Sequence, residues 1–216
     1  MEKQMKDKKK ESVREICDKG IAGIHIEERL LPEQIPALDL YMDQLITLFE
    51  SSMPHQRRTP DDKLITKPMV NNYIKNKLLP PAERKKYNQD HLMKLSMLTR
   101  TKQCANLEDI KRIYSALPDN ISALYPEYLK IAGDLDADLT DYVDRAAGRI
   151  DEAELDEKTA AALAVQFLYE SSAELRRLAE ALSDRLLVED APPEEPALKR
   201  KLQNREAKEN KEENKE

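Results

Sequence analysis

Two consecutive prolines, Pro80 and Pro81, place the strongest local constraint on how this chain can fold. Proline cannot continue a helix and disfavours helical backbone in the residue before it, so a helix that reaches this pair must end near Lys77. Upstream of the prolines, four apolar residues recur at the spacing of one helical face, namely Val70, Tyr73, Ile74 and Leu78. The sequence therefore predicts a short helix with one buried face just before the prolines.

The predicted helix, residues 66–77, has a polar start and a polar outer face. Thr66 is placed to cap it, and Pro68 falls in the first turn, where a missing N–H costs little. A basic turn, Arg84–Tyr87, follows the prolines. A short helix with a polar face beside a basic turn is typical of a major-groove reader next to a phosphate contact. The residues expected to face outward lie off the apolar stripe: Lys67, Asn71, Asn72 and Lys75.

Three further helices are predicted around this segment. Residues 39–51 carry an apolar stripe, with Asp39 as the N-cap. Asn88 is placed to cap a Leu-rich helix, and Asn106 to cap another that carries its own apolar stripe. The stripes of the four helices suffice for one small core, so we expect a domain over residues 21–117.

Beyond that domain the apolar residues alternate by three and four, the spacing of packed long helices. We expect the first of two such helices to end at Gly148 in a left-handed cap, and the second to begin at Asp151 with Glu154 in a capping box. The two helices could pair as a hairpin within one chain or as a seam between two chains. The two series are Ile121, Tyr125, Tyr128, Ala132, Leu135, Leu139, Tyr142, Ala146 and then Ala161, Ala164, Leu168, Ser171, Leu175, Leu178, Leu182.

The composition favours long helices over sheets, because 36% of the residues are charged and only 5% are aromatic. Residues 1–20 are mostly charged and are predicted to be a flexible arm, either disordered or weakly helical, and residues 191–216 a disordered tail. No run of ~18 apolar residues exists, so no membrane span is expected. The N-terminus lacks the apolar segment of a signal peptide, which predicts a cytoplasmic protein. Cys17 and Cys104 lack metal-ligand spacing and are expected to be reduced thiols.

The net charge of −6 hides a strong asymmetry along the chain. Residues 55–112 carry 14 Lys and Arg against 6 Asp and Glu, whereas residues 133–190 carry 6 against 16. Such a sign change between halves indicates nucleic-acid contact on the basic side. A solvated charged face would give the same count. We expect residues 118–190 to be an acidic helical region for dimerisation or partner docking.

Several motifs occur in a fixed order around the prolines, and in that order they resemble the DNA-binding domain of MerR-type regulators. With the upstream stretch LYMDQLITLFE, the chain looks still more like a bacterial family of uncharacterised MerR-like winged-helix proteins. The resemblance covers roughly residues 38–117. The matching residues are Tyr73, Leu78-Leu79-Pro80-Pro81, Lys85-Lys86-Tyr87, Asn88, Leu92, Leu95 and Leu107 with Ile110-Lys111.

The resemblance implies an all-α fold with a winged helix-turn-helix and a minimal wing, followed by long C-terminal helices. It implies that the helix Thr66–Lys77 enters the major groove of DNA and that the turn at 82–87 contacts the DNA backbone. It also implies that the C-terminal helices dimerise. Lys77 stands where the family carries Gly, so we expect another residue such as Asn76 to take the left-handed geometry. The candidate residues for binding double-stranded DNA are Thr66, Lys67, Asn71, Asn72, Lys75, Arg84, Lys85, Lys86 and Tyr87.

Other functions are weighed against this one. Asn amides suit adenine edges and the cations suit phosphates, but a solvated helix face would use the same residue types. Tyr73 and Tyr87 fit core packing as well as phosphate bonding. No motif of a catalytic, metal or cofactor site is present, so an enzyme is not expected, and the sequence does not identify a small-molecule effector. The alternative is an adaptor whose winged-helix core is a scaffold and whose 121–187 helices bind proteins.

Overall fold

The structure is a computed structural model that describes residues 11–186. Within this range the chain is mostly helical, with one two-stranded antiparallel sheet. The strands are β1 (Leu40–Tyr41) and β2 (Lys86–Tyr87), and Leu40 pairs with Tyr87. The helices are α1 (Val13–Ile24), α2 (Met42–Ser52), α3 (Lys67–Lys75), α4 (Gln89–Thr101), α5 (Leu107–Ala116), α6 (Leu124–Asp151) and α7 (Glu157–Leu186).

The main core lies among α2, α3, α4, α5 and the start of α6. Its centre is fully closed to solvent, with Leu45, Phe49, Val70 and Leu95 all at 0% exposure. Ile121 and Tyr125 belong to the same core, so the core extends beyond the predicted boundary at residue 117. The described residues are mostly helical, as expected for an all-α fold, and the first turn of α6 is part of the core.

Tyr125 joins three parts of this core through one hydroxyl group. The hydroxyl donates to the carbonyl of Leu30 at 2.6 Å and lies 2.8 Å from Oγ of Ser96 in α4. Burial raises the pKa of Tyr125 to about 12, so the proton needed for the Leu30 bond is retained. The long helix α6 therefore leaves the core in a direction fixed by its first turn.

A charged contact holds the next part of α6. Arg29 pairs with Asp136, and both side chains are largely buried. The Nη2 atom of Arg29 lies 3.0 Å from Oδ1 of Asp136. Arg100 of α4 donates to the carbonyls of Ile26 and Glu28, which fixes the same connecting segment from the other side. The segment after α1 is therefore ordered by hydrogen bonds to two arginines, an arrangement that its own sequence pattern does not reveal.

Helix α1 occupies much of the region predicted to be a flexible arm. Ser12 and Glu15 form a capping box at its start, and Asp151 of α6 accepts from the backbone N–H groups of Val13 and Arg14. Val13 is buried against α6 and α7 in a small second cluster. The sequence does not predict this ordered helix because Asp151, which bonds its first turn, lies about 140 residues away and is not part of any local pattern. Residues 1–10 and 187–216, including the predicted tail, lie outside the described residues.

Several predicted helix ends are wrong. The second helix starts after Tyr41 rather than at Asp39, because Leu40 and Tyr41 pair as a strand with the basic turn. Gly148 lies inside α6, where a Cβ atom would come within 2.8 Å of the Arg14 guanidinium. The next helix begins at Glu157, with Asp156 rather than Asp151 accepting from the first turn. In each case a contact with a distant segment overrides the local capping pattern.

We predict that Tyr125→Phe lowers the free energy of unfolding by about 1–3 kcal/mol, the cost of leaving buried polar groups without their partner. Urea denaturation followed by circular dichroism measures this change. Tyr169→Phe is the matched control, because that side chain is 69% exposed on α7. Equal stability of the Tyr125→Phe variant and the wild type would show that the hydroxyl does not hold α6 to the core.

Candidate nucleic-acid interface

The start of α3 is fixed by buried residues and by one lysine from α4. Thr66 caps the helix as predicted, its hydroxyl accepting from the Met69 N–H at 3.4 Å. Leu64 and Ile65 are buried just before it. Lys102, at the end of α4, donates from Nζ to the Leu64 carbonyl at 2.7 Å, and burial lowers the pKa of this lysine. Lys102 is a positioning residue that sequence reasoning missed, because a lone lysine gives no local indication of its partner.

The end of α3 is a left-handed cap formed by a lysine. Lys77 has φ of 60°, whereas Asn76 stays at −88°, so the expectation for Asn76 is wrong. The N–H of Leu78 donates to the Tyr73 carbonyl at 2.9 Å, and that of Lys77 to Ile74 at 3.0 Å. These two bonds define a Schellman motif, in which glycine is the usual left-handed residue. The buried side chain of Leu78 holds the cap in place despite the missing glycine.

The face of α3 opposite the core is polar and exposed. Lys67, Asn71, Asn72 and Lys75 all lie on it, as predicted, while Val70 and Tyr73 are buried. Asn72 accepts a hydrogen bond from the Asn76 side chain at 3.0 Å. Asn71 makes no side-chain hydrogen bond with any residue in the described part of the chain. Its amide is therefore free to meet a ligand.

The basic turn is a tight β-hairpin rather than an open loop. Glu83 and Lys86 exchange two backbone hydrogen bonds of 3.1 and 2.8 Å, and the two residues between them are left-handed. Arg84 has φ of 49° and Lys85 of 65°. This is the type I′ pattern, which favours Asn-Gly and places a steric cost on residues with a Cβ atom. Two exposed basic side chains thus stand where the backbone favours smaller residues.

The hairpin contacts β1 on one side and α4 on the other. Lys86 lies over the ring of Tyr41 in β1, with Nζ 5.2 Å from the ring centroid. Tyr87 is only 4% exposed and meets the ring of His91 edge-on at 5.4 Å. Because its ring is buried, Tyr87 supports the turn from inside and does not belong to the exposed contact face. Thr66 likewise acts as a cap, so the exposed candidates are the polar residues of α3 and the cations of the hairpin.

His91 connects the hairpin to α4 and to the prolines. Its Nδ1 accepts from the Asn88 N–H, and its Nε2 lies 3.2 Å from the Pro80 carbonyl. These two contacts suit a neutral ring that carries its proton on Nε2, although Nδ1 also lies 2.6 Å from Oδ1 of Asn88. Burial lowers the pKa of His91, although the bond to Pro80 opposes this effect. The histidine thus joins the prolines, the hairpin and α4 through an uncharged side chain.

The cations around α3 and the hairpin lack acidic partners. None of Lys67, Lys75, Arg84, Lys85 and Lys86 lies within ion-pair distance of a carboxylate among residues 11–186. Unpaired cations on one exposed surface can neutralise phosphates without first breaking ion pairs. The arrangement can therefore place an amide and several positive charges against a polyanion.

A second surface feature lies between α5, α6 and α7. The middle of α6 and the C-terminal half of α7 expose apolar residues on each side of a groove of about 1010 Å³. At one end the helices touch, where Tyr142 bonds Ser171 at 2.6 Å. At the other end Ser183 of α7 bonds Asp109 of α5. The exposed residues of the predicted heptad series are Leu135, Leu139, Leu168, Leu175, Leu178 and Leu182.

Comparison with known proteins gives one match. Residues 30–128, a little under half of the chain, match a family described as a domain of unknown function (DUF1836). The match runs from Leu30 to Tyr128 and so includes α3, the hairpin and the first turn of α6. No curated protein and no solved structure matches the chain. The family description states no activity, so the function must be argued from the geometry.

No helix in the described part of the chain combines the length and the apolar character needed to cross a bilayer. In the same range, no three His, Cys, Asp or Glu side chains come together as a metal site.

Replacing Arg84 and Lys85 by Asn and Gly is expected to raise the free energy of unfolding by about 1–2 kcal/mol, because the new pair relieves left-handed strain. Urea denaturation measures the gain. Arg84→Ala with Lys85→Ala is the control, since it removes the same charges and keeps the strain. A less stable Asn-Gly variant would contradict the type I′ geometry.

His91 is expected to make stability depend on pH. Its folded-state pKa lies below the unfolded value of 6.5, so its contribution is complete above about pH 6.5 and is lost as the pH falls below that value. The control is His91→Gln, because Gln at this position can keep the capping box without titrating. Urea denaturation between pH 7.5 and about 5 should show the wild type losing stability relative to this variant. A pH-independent difference would rule out the neutral buried ring.

Proposed function

We propose that this protein binds double-stranded DNA and regulates transcription, with α3 in the major groove and the 82–87 hairpin on the phosphate backbone. The observation that carries the proposal is the combination of a free Asn amide on the exposed face of α3 with cations on α3 and the hairpin that lack acidic partners. The order of α2, α3, hairpin and α4 supports a MerR-like winged helix-turn-helix. Such a protein would act in the cytoplasm of a bacterial cell.

The size of α3 suits the groove. An α-helix with its side chains is about 10–12 Å across, the major groove of B-DNA is about 12 Å wide, and the nine residues of α3 extend about 13 Å along the helix axis. Asn71 can offer its amide to N6 and N7 of adenine, and Lys75 lies one turn further along the same face. Asn72 shares its amide with Asn76, so Asn71 is the residue we assign to base contact.

The strained hairpin supports the phosphate contact. Left-handed non-glycine residues cost about 1–2 kcal/mol each relative to glycine. Arg84 and Lys85 nevertheless occupy both such positions. A requirement for two cations at the tip of the hairpin accounts for this choice, because phosphate binding by each cation releases a counterion and adds to affinity.

The apolar faces of α6 and α7 support a homodimer. Heptad positions such as Leu135 and Leu175 remain exposed at 60% and 65%, and six of the fifteen predicted seam positions are exposed in one chain. A second copy that covers the groove between the two helices would bury them. Two α3 helices would then meet DNA half-sites about 34 Å apart.

One observation favours an adaptor as the second candidate. The groove beside α7 is a large, mainly apolar surface feature, and acidic side chains such as Asp138, Glu170 and Glu174 also line it. In this function α6 and α7 would bind another protein, and the polar face of α3 would be ordinary surface.

A binding titration on duplexes enriched from genomic fragments tests the proposal. Asn71→Ala should cost about 1–3 kcal/mol of preference for an A·T pair at one position of the site. Lys75→Ala should weaken binding to all duplexes and reduce the salt slope by about 0.9. Lys158→Ala, which removes one exposed charge from α7, is the control. An absence of binding even at low salt would eliminate the DNA function and leave the adaptor.

A further inference from the structure

A small pocket lies between α6 and α7 near the turn that connects them. Its volume is about 260 Å³. Ala146 and Ile150 of α6 and Leu163 and Phe167 of α7 form most of its apolar wall. Its position is separate from the α3 face, so nothing in the DNA-binding proposal explains it.

Two arginines at the pocket set it apart from the rest of this acidic region. Arg145 and Arg149 are one helical turn apart on α6, and both line the pocket. Neither makes a hydrogen bond or ion pair with another residue of the described chain. Asp141 stands one turn before Arg145, at a spacing that often gives an ion pair, yet the two do not pair. By contrast, Arg176 and Arg177 of α7 both pair with glutamates of their own helix.

The chemistry of the pocket therefore has two parts. Guanidinium groups recognise carboxylates through paired N–H donors, and two arginines that line one pocket suit a single anionic head group. The apolar wall suits a hydrocarbon chain. The volume is somewhat below the ~300–1,000 Å³ of sites for drug-sized ligands, which favours a slender chain over a bulky ring system.

We propose that the pocket between α6 and α7 binds a medium-chain fatty acid, with its carboxylate on Arg145 and Arg149 and its chain against Ile150, Leu163 and Phe167. Fatty-acid binding at this pocket is a property beyond DNA binding, and it is measured on the protein without DNA. Either proposal can therefore fail while the other stands.

Isothermal titration of the full chain with decanoate, below its micelle concentration, tests the site. We expect saturable binding of one decanoate per chain. Arg145→Ala with Arg149→Ala should weaken it at least tenfold, and decanol, which lacks the charge, should bind at least tenfold more weakly than decanoate. Arg176→Ala with Arg177→Ala is the matched control, because it removes the same charge from exposed positions of α7 and should leave binding unchanged.

Methyl NMR of the same complex locates the ligand. Decanoate should shift the Ile150 and Leu163 methyl signals and leave those of Leu45 in the main core unchanged. The proposal is overturned if no saturable binding occurs, if the Arg145/Arg149 variant binds as the wild type does, or if decanol binds equally. It is also overturned if the protein binds anionic phospholipid vesicles but not monomeric decanoate, since the site would then be a membrane contact.

Discussion

The hydroxyl of Tyr125 is the contact on which the arrangement of the molecule depends. It is buried, it bonds Leu30 and Ser96, and it lies in the first turn of a helix 28 residues long. Because a long helix is rigid, the direction of its first turn sets the position of every element that packs on α6. This includes α1, α7 and both surface features between α6 and α7. The match to the uncharacterised family begins at Leu30 and ends three residues after Tyr125, so both ends of this bond lie within it.

The sequence pattern predicts those features of the fold that depend on residues close together in the chain. Thr66, Asn88 and Asn106 cap their helices as expected, because each side chain bonds a backbone N–H three residues away. The stripe of Val70, Tyr73 and Leu78 is buried as expected, because its helical spacing places these apolar side chains on the side that faces the core. The DNA-contact roles assigned to the exposed candidates stay predictions, because they depend on a ligand. The capping roles predicted for Asp39 and Gly148 are wrong because both regions contact distant residues. Leu40, next to Asp39, pairs with Tyr87, and Gly148 lies against Arg14 of α1.

Backbone strain and unpaired charge occur together around α3. Lys77, Arg84 and Lys85 all adopt left-handed backbone, and each carries a cation where the local geometry favours glycine or asparagine. A sequence selected for stability alone would carry smaller residues there. The same residues are easily explained if the cations have a polyanionic partner. His25 and Glu154 are also left-handed in the described chain, so the distinguishing feature of this surface is the run of two consecutive left-handed cations at the tip of the hairpin.

The most direct test of the DNA-binding account is an NMR titration of the isotopically labelled full chain with an enriched duplex at low salt. The account predicts amide shifts concentrated in α3 and residues 82–87, with Asn71 among the largest, and α6 and α7 changed only through dimer formation. Shifts confined to α6 and α7, or no shifts at any residue when duplex is in excess, would contradict it.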